Sequence, residues 1–264
     1  MPEGDTVYRT ALLLREALAG ATLTRADLRH PRLSTVDLKG RVLTGVGTVG
    51  KHLLIRFDND ITLHNHLGMD GSWRLYDPRR RAPVNHRTRV ILQTATTLAL
   101  GQSLVELALV RTAEESRVVG HLGPDLLDPQ WSPEHTRTAV ARLTADPARE
   151  LGQALLDQTV MAGLGNVYKT EVCFLLGVSP WSPVSEVDPE ETVELARKWL
   201  RHNAIRANRN TTGDPRRGRE LWVYGRQRTG CLRCGGPVVM ADQGSAGRER
   251  VTYCCPHCQP GPHP

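Results

Sequence analysis

Removal of Met1 would leave Pro2 as the amino-terminal residue, a secondary amine directly beside the carboxylate of Glu3. An α-amino group titrates near about 7.7–8.0 and a lysine amine near about 10.4, so a terminal amine is far more often free base at neutral pH. A prolyl amine that condenses with a sugar aldehyde carbon gives an iminium with no N–H to lose. The adduct stays cationic and acts as an electron sink for the neighbouring carbon. Proline in second place also occurs at frayed termini, so the pair acquires meaning only if the next segment anchors it. That segment reads as a helix: Asp5 or Thr6 can cap it, Val7, Ala11, Leu14 and Leu18 recur at helical spacing, and Gly20 closes it.

A second constellation lies at the other end. Five of the six cysteines stand from position 231 onward, and Cys231/Cys234 and Cys255/Cys258 form two C-x-x-C knuckles. Between them, residues 238–240 and 250–253 flank a Gly-rich turn and predict a hairpin. Four thiolates at this spacing suit one tetrahedral Zn2+ with no open position for water, hence a structural ion. The absence of a secretory signal argues against disulfides. Strand alternation turns Cys254 off the metal, although Cys254 or His257 offers a substitute ligand, and Cys173 lies in an apolar helix as a core residue.

The remaining composition suits a polyanionic partner. The 264 residues carry a net charge of +6 and a pI near 9.2, with Arg79-Arg80-Arg81 and a dense run from Lys198 through Arg201, Arg206, Arg209, Arg216, Arg217, Arg219, Arg226 and Arg228. A solvated face would give the same run. No apolar stretch is long enough to cross a bilayer, so a cytoplasmic, nucleoid-associated protein without membrane contact is expected.

Residues 21–119 are rich in short β-like runs. Residues 51–57 turn at Asp58-Asn59-Asp60 and return through 61–67, an antiparallel hairpin with Lys51 at its rim after the flexible Gly45–Gly50 stretch. His64-Asn65-His66 reads as strand surface. Residues 121–129 form a Pro- and Gly-containing connection. Beyond it, Leu151, Ala154, Leu155 and Val160 lead to Gly163-Leu164-Gly165-Asn166, a tight turn in which Asn166 is placed to cap the next helix; such a helix start also suits an anion, although an ordinary helical hairpin needs the same turn.

Taken in order, Pro2-Glu3-Gly4, Gly50-Lys51, His66-Leu67-Gly68-Met69-Asp70-Gly71, Leu155-Leu156-Asp157-Gln158 with Gly163-Leu164-Gly165-Asn166, Trp222-Val223-Tyr224-Gly225-Arg226 and the four-cysteine ribbon resemble the formamidopyrimidine-DNA glycosylase and endonuclease VIII family, in particular its second endonuclease VIII branch of actinobacteria. The resemblance implies an α+β multidomain fold: a catalytic β-sandwich with flanking helices over 1–120, a helix-two-turn-helix domain over 121–220 and a zinc finger over 221–264, with damaged DNA gripped between the halves of a monomer. It further implies a bifunctional DNA glycosylase/AP lyase of base excision repair. Pro2 would attack C1′ through a Schiff base with β,δ-elimination, and Glu3 would be the acid that helps open the deoxyribose ring. Lys51, His66, Asn166 and Arg250 would hold phosphates, and Met69 would fill the space of the flipped nucleotide.

Two departures qualify the pattern. Family members often carry Glu at the sixth residue, where this chain has Thr6, which bears on elimination. The Arg- and Phe-bearing loop of the formamidopyrimidine branch is missing between Leu100 and Val118, and Thr211-Thr212-Gly213-Asp214-Pro215 reaches Trp222 by a short path. Oxidised pyrimidines are therefore the expected lesions, rather than 8-oxoguanine. An abasic-site lyase with weak glycosylase activity and a noncatalytic damaged-DNA-binding protein are the alternatives.

Overall fold

The structure is a computed structural model that describes residues 2–264; Met1, and with it the question of its removal, lies outside the described residues. The chain divides between His121 and Leu122 into two compact units.

In the first unit, helix α1 (Gly4–Leu18) precedes eight strands: β1 (Arg25–Leu28), β2 (Leu43–Val49), β3 (His52–Phe57), β4 (Ile61–His66), β5 (Ser72–Tyr76), β6 (Thr88–Gln93), β7 (Leu98–Gln102) and β8 (Glu106–Arg111). They form two antiparallel four-stranded sheets, ordered β1-β6-β7-β5 and β2-β3-β4-β8. Strand alternation sends Leu53, Ile55 and Phe57 of β3 and Leu63 of β4 to one face, where they meet Leu28, Val90, Leu92 and Ala99 of the other sheet in a single buried core. The helix completes that core with Val7, Ala11, Leu14 and Leu18, the four positions expected from its periodicity. Val7, Leu14 and Leu18 each contribute on the order of 1.5–3 kcal/mol by leaving water and Ala11 less, so the helix start is tied down by its own buried stripe.

The expected cap is corrected. Glu3, in extended conformation, is the N-cap, and its carbonyl accepts from the Thr6 and Val7 amides at 2.9 and 3.0 Å. Asp5 instead sits buried within the first turn and accepts from the Thr6 amide at 2.7 Å. Proline at residue 2 costs no helical hydrogen bond, because it precedes the cap.

A short helix α2 (Ser116–Val119) ends the first unit. The second carries α3 (Pro133–Leu143), α4 (Leu151–Leu156), α5 (Asn166–Leu176) and α6 (Pro189–Ala204), followed by the hairpin of β9 (Val239–Gln243) and β10 (Arg250–Cys254). The turn before α5 needs its first glycine: Gly163 has φ +113°, and a Cβ there would lie 2.9 Å from Leu200 Cδ2. Among the described residues no helix is long and apolar enough to cross a membrane.

Candidate active site and metal centre

Pro2 is half-buried at the mouth of α1, and Glu3 behind it is wholly buried. A partly accessible Pro2 thus adjoins a carboxyl group withdrawn from water. Lys51 occupies the turn between β2 and β3 after Gly50, whose φ of +57° turns the chain.

His66 closes β4. Its Nδ1 accepts from the Gly68 amide at 3.0 Å, which leaves the ring proton on Nε2 and makes that nitrogen a donor. Burial lowers the His66 pKa, with Lys51 adding to the effect, so the ring acts as a neutral donor. The loop after it is fixed by Gly71, whose amide donates to Leu67 O at 2.8 Å and whose α-carbon approaches that carbonyl so closely that a Cβ would come within 2.0 Å. Met69 stands out of this loop with 64% of its surface exposed, a large apolar side chain held in water by a rigid turn.

The triplet expected on a strand surface is largely buried. His64 and Asn65 are 3% and 0% exposed: Asn65 Oδ1 accepts from the Trp73 indole at 3.1 Å, and His64 packs against His52. The sheet's outer face is covered here, in part by Glu115, which binds Arg56 Nε and Nη2, each at 2.7 Å.

In the second unit α5 serves as a dock. Asn166 is not its cap: Gly165 is, and the Asn166 amide instead donates to the Val251 carbonyl of β10 at 2.6 Å. One turn on, the wholly buried Lys169 ammonium donates to the Thr252 hydroxyl. Glu171, also wholly buried, accepts from the amides of Trp222, Val223 and Tyr224 at 2.8, 3.0 and 2.9 Å and from the Thr211 hydroxyl. Burial pushes the Glu171 carboxyl above its usual range, against the pull of those four donors. These contacts hold the strand that carries exposed Arg250 and the loop that leads to the cysteines. Sequence reading passed over Lys169 and Glu171; the available signal was two charges two residues apart inside an apolar helical run.

The arginine run is only partly an open face. Arg216 and Arg219 both bind Asp214, and hydrogen bonds from Arg216 hold that carboxyl well below the usual range. Arg226 donates to the Gly230 and Gly218 carbonyls.

Cys231, Cys234, Cys255 and Cys258 bring their sulfurs within 4.8 Å of one another, a set that can hold a metal ion. Two of the separations, Cys231–Cys258 at 3.9 Å and Cys234–Cys255 at 3.5 Å, bracket the edge of about 3.8 Å that four sulfurs at about 2.3 Å from a tetrahedral zinc would span. The Gly236 amide donates to Cys234 Sγ at 3.4 Å, a hydrogen bond that favours the thiolate a metal requires. Cys254 and Cys173 stand apart from the cluster, and burial pushes both thiols up to about 12.

A two-sheet unit with a buried carboxyl beside Pro2 is joined in sequence to a helical unit with a four-cysteine hairpin, and comparison with known proteins places this arrangement in a DNA-repair family. Residues 1–152 match the formamidopyrimidine-DNA glycosylase N-terminal domain and residues 122–214 the formamidopyrimidine-DNA glycosylase H2TH domain. The chain is 54% identical to the probable endonuclease 8 2 of Streptomyces coelicolor, covering 100% of this chain and 96% of that protein. It is 51% identical to the DNA-(apurinic or apyrimidinic site) lyase Nei2 of Mycolicibacterium smegmatis, covering 98% and 99%. The fold is shared with the formamidopyrimidine-DNA glycosylase of Lactococcus lactis solved on DNA containing an AP site, at TM-score 0.78, 23% identity and coverage of 98% and 100%. The chain belongs to the formamidopyrimidine-DNA glycosylase/endonuclease VIII family.

Proposed function

We propose that Pro2 is the nucleophile of this enzyme, that Glu3 is its acid, and that oxidised pyrimidines are its preferred lesions. Family membership carries the activity class: the chain is a bifunctional DNA glycosylase/AP lyase of base excision repair. The observation that carries the site reading is the wholly buried Glu3 at the cap of α1, directly behind an accessible Pro2.

With Met1 removed, the Pro2 nitrogen attacks C1′ of the damaged nucleotide and the base departs with the C1′–N bond electrons. Glu3 donates a proton to the ring oxygen as the sugar opens, leaving an iminium between Pro2 and C1′. The cation acidifies the C2′ hydrogen; its loss expels the 3′ phosphate, and a second elimination expels the 5′ phosphate. Water returns the amine. Lys51, the Nε2 hydrogen of His66, the second amide hydrogen of Asn166 and the Arg250 guanidinium are assigned to phosphates flanking the lesion, and Met69 to the space the flipped nucleotide leaves. Cys231, Cys234, Cys255 and Cys258 would hold one zinc ion, which when bound supplies structural cross-linking and no reactive position. The protein acts as a monomer on damaged DNA in the cytoplasm, at the nucleoid, with catalytic, helical and finger parts divided near residues 120 and 220.

Lesion preference is supported by the connection between β7 and β8, which is only residues 103–105 and has no room for an Arg- and Phe-bearing wedge loop, and by the short path from Thr211 to Trp222, which leaves little room for a loop that caps 8-oxoguanine. Single-turnover excision should be faster on 5-hydroxyuracil than on 8-oxoguanine opposite cytosine; equal or faster release of 8-oxoguanine overturns the preference. Arg250→Ala should weaken binding to all sequences alike and lower the slope of log K against log salt by about 0.9, one phosphate's share in duplex DNA. An unchanged slope removes Arg250 from the phosphate contacts.

A further inference from the structure

The outer face of the β2-β3-β4-β8 sheet carries His52, His64 and Glu106, which the repair chemistry does not use, beside His66, which it does. Register places it: His52 pairs with His66 across β3 and β4, and His66 pairs with Glu106 across β4 and β8, while His64 lies two residues before His66 and so on the same face. His52 Nδ1 lies 2.8 Å from His64 Nε2, with the two rings stacked at a centroid separation of 5.0 Å. His66 and His121 meet the His52 ring edge-on at 5.1 and 6.1 Å.

The His64 ring is 3% exposed and presents its Nε2, not its Nδ1, to this cluster. A ligand nitrogen of each histidine and a carboxylate oxygen of Glu106 lie within 4.8 Å of one another. Nitrogens bound at about 2.0–2.1 Å to one ion at angles of 90–109° stand about 2.9–3.4 Å apart, so the observed pair needs to open by only tenths of an ångström. Glu106 is exposed and His52 half-buried, which leaves an entry path.

We propose that His52, His64 and Glu106 form a second metal site, for a first-row divalent ion of the Ni2+, Co2+ or Zn2+ type, separate from the four-cysteine centre. Two imidazoles and one carboxylate are a donor set such borderline ions favour over Mg2+ or Ca2+. The proton that one near nitrogen carries in the hydrogen-bonded pair moves to the far nitrogen of its own ring when both near nitrogens bind the ion. An ion there would tie β3, β4 and β8 together at the end of the sheet where Lys51 and His66 stand.

The test uses untagged, zinc-loaded full-length protein titrated with Ni2+ by calorimetry, with zinc content measured before and after and nickel–thiolate absorption monitored. One Ni2+ should bind beyond the retained zinc, without a thiolate band. Glu106→Gln, on an exposed side chain, and His52→Gln should each weaken it by at least about 10–100-fold, the range lost with even an outer-shell partner. Three outcomes overturn the site: no Ni2+ bound by the wild type, zinc displaced in proportion to nickel, or both variants binding as the wild type does, the last leaving a structural imidazole pair only.

Discussion

Glu3→Gln lowers the single-turnover rate of ring opening to the iminium, and with it strand scission, by about 10²–10⁴-fold, the contribution a positioned general acid makes. Glutamine fills the same wholly buried volume behind Pro2, and the backbone cap of α1 is unaffected because it uses the Glu3 carbonyl rather than its side chain. What is lost is a group that can hand over and take back a proton. Affinity for DNA carrying a non-cleavable abasic analogue should therefore stay near that of the wild type, and rapid-quench kinetics separate the two effects. Unchanged rates of iminium trapping and strand scission would reduce Glu3 to a structural residue.

Cys258→Ser has the second large effect. The apolar cluster around the finger contains Phe174, Val223, Cys231, Val238 and Cys255, so two of its five buried members are themselves members of the thiolate set. Little core remains once the ion is gone, and structural zinc supplies about 10–16 kcal/mol of apparent binding free energy in comparable small domains. The variant should purify with far less than one zinc per chain, lose amide protection first in β9 and β10, and bind DNA more weakly through the disordered neighbourhood of Arg250. The same loss should follow in the wild type on treatment with a strong chelator. Zinc retained at full occupancy in Cys258→Ser would contradict the ligand set.

What could be read from the sequence was what is local. The buried stripe of α1, the β3–β4 hairpin and the two knuckles each depend on spacing within about fifteen residues, and the turn before α5 is announced by Gly163 itself, since φ of +113° favours glycine. Both expected caps failed for one physical reason: the cap position is set by where the backbone enters the helix, and in each case it falls on an earlier residue, Glu3 or Gly165, whose side chain gives no capping hydrogen bond. Lys169 and Glu171 escaped notice because their partners, Thr252 and the amides of residues 222–224, lie far along the chain. The burial of His64 was equally invisible, since alternation along β4 shows which face a residue takes and not what covers that face. The arginine run read as one patch, yet Asp214 ties Arg216 and Arg219 into the loop before Trp222.

The central claim is a covalent link between Pro2 and the sugar. Mass spectrometry first establishes that the purified chain begins at Pro2; borohydride is then added during reaction with DNA bearing 5-hydroxyuracil or a preformed abasic site. The account predicts a stable protein–DNA adduct on both substrates, mapped by peptide sequencing to Pro2 and strongly reduced in Pro2→Gly. No adduct from processed, zinc-loaded protein that still binds the DNA, or an adduct mapped to a lysine and undiminished in Pro2→Gly, would contradict it.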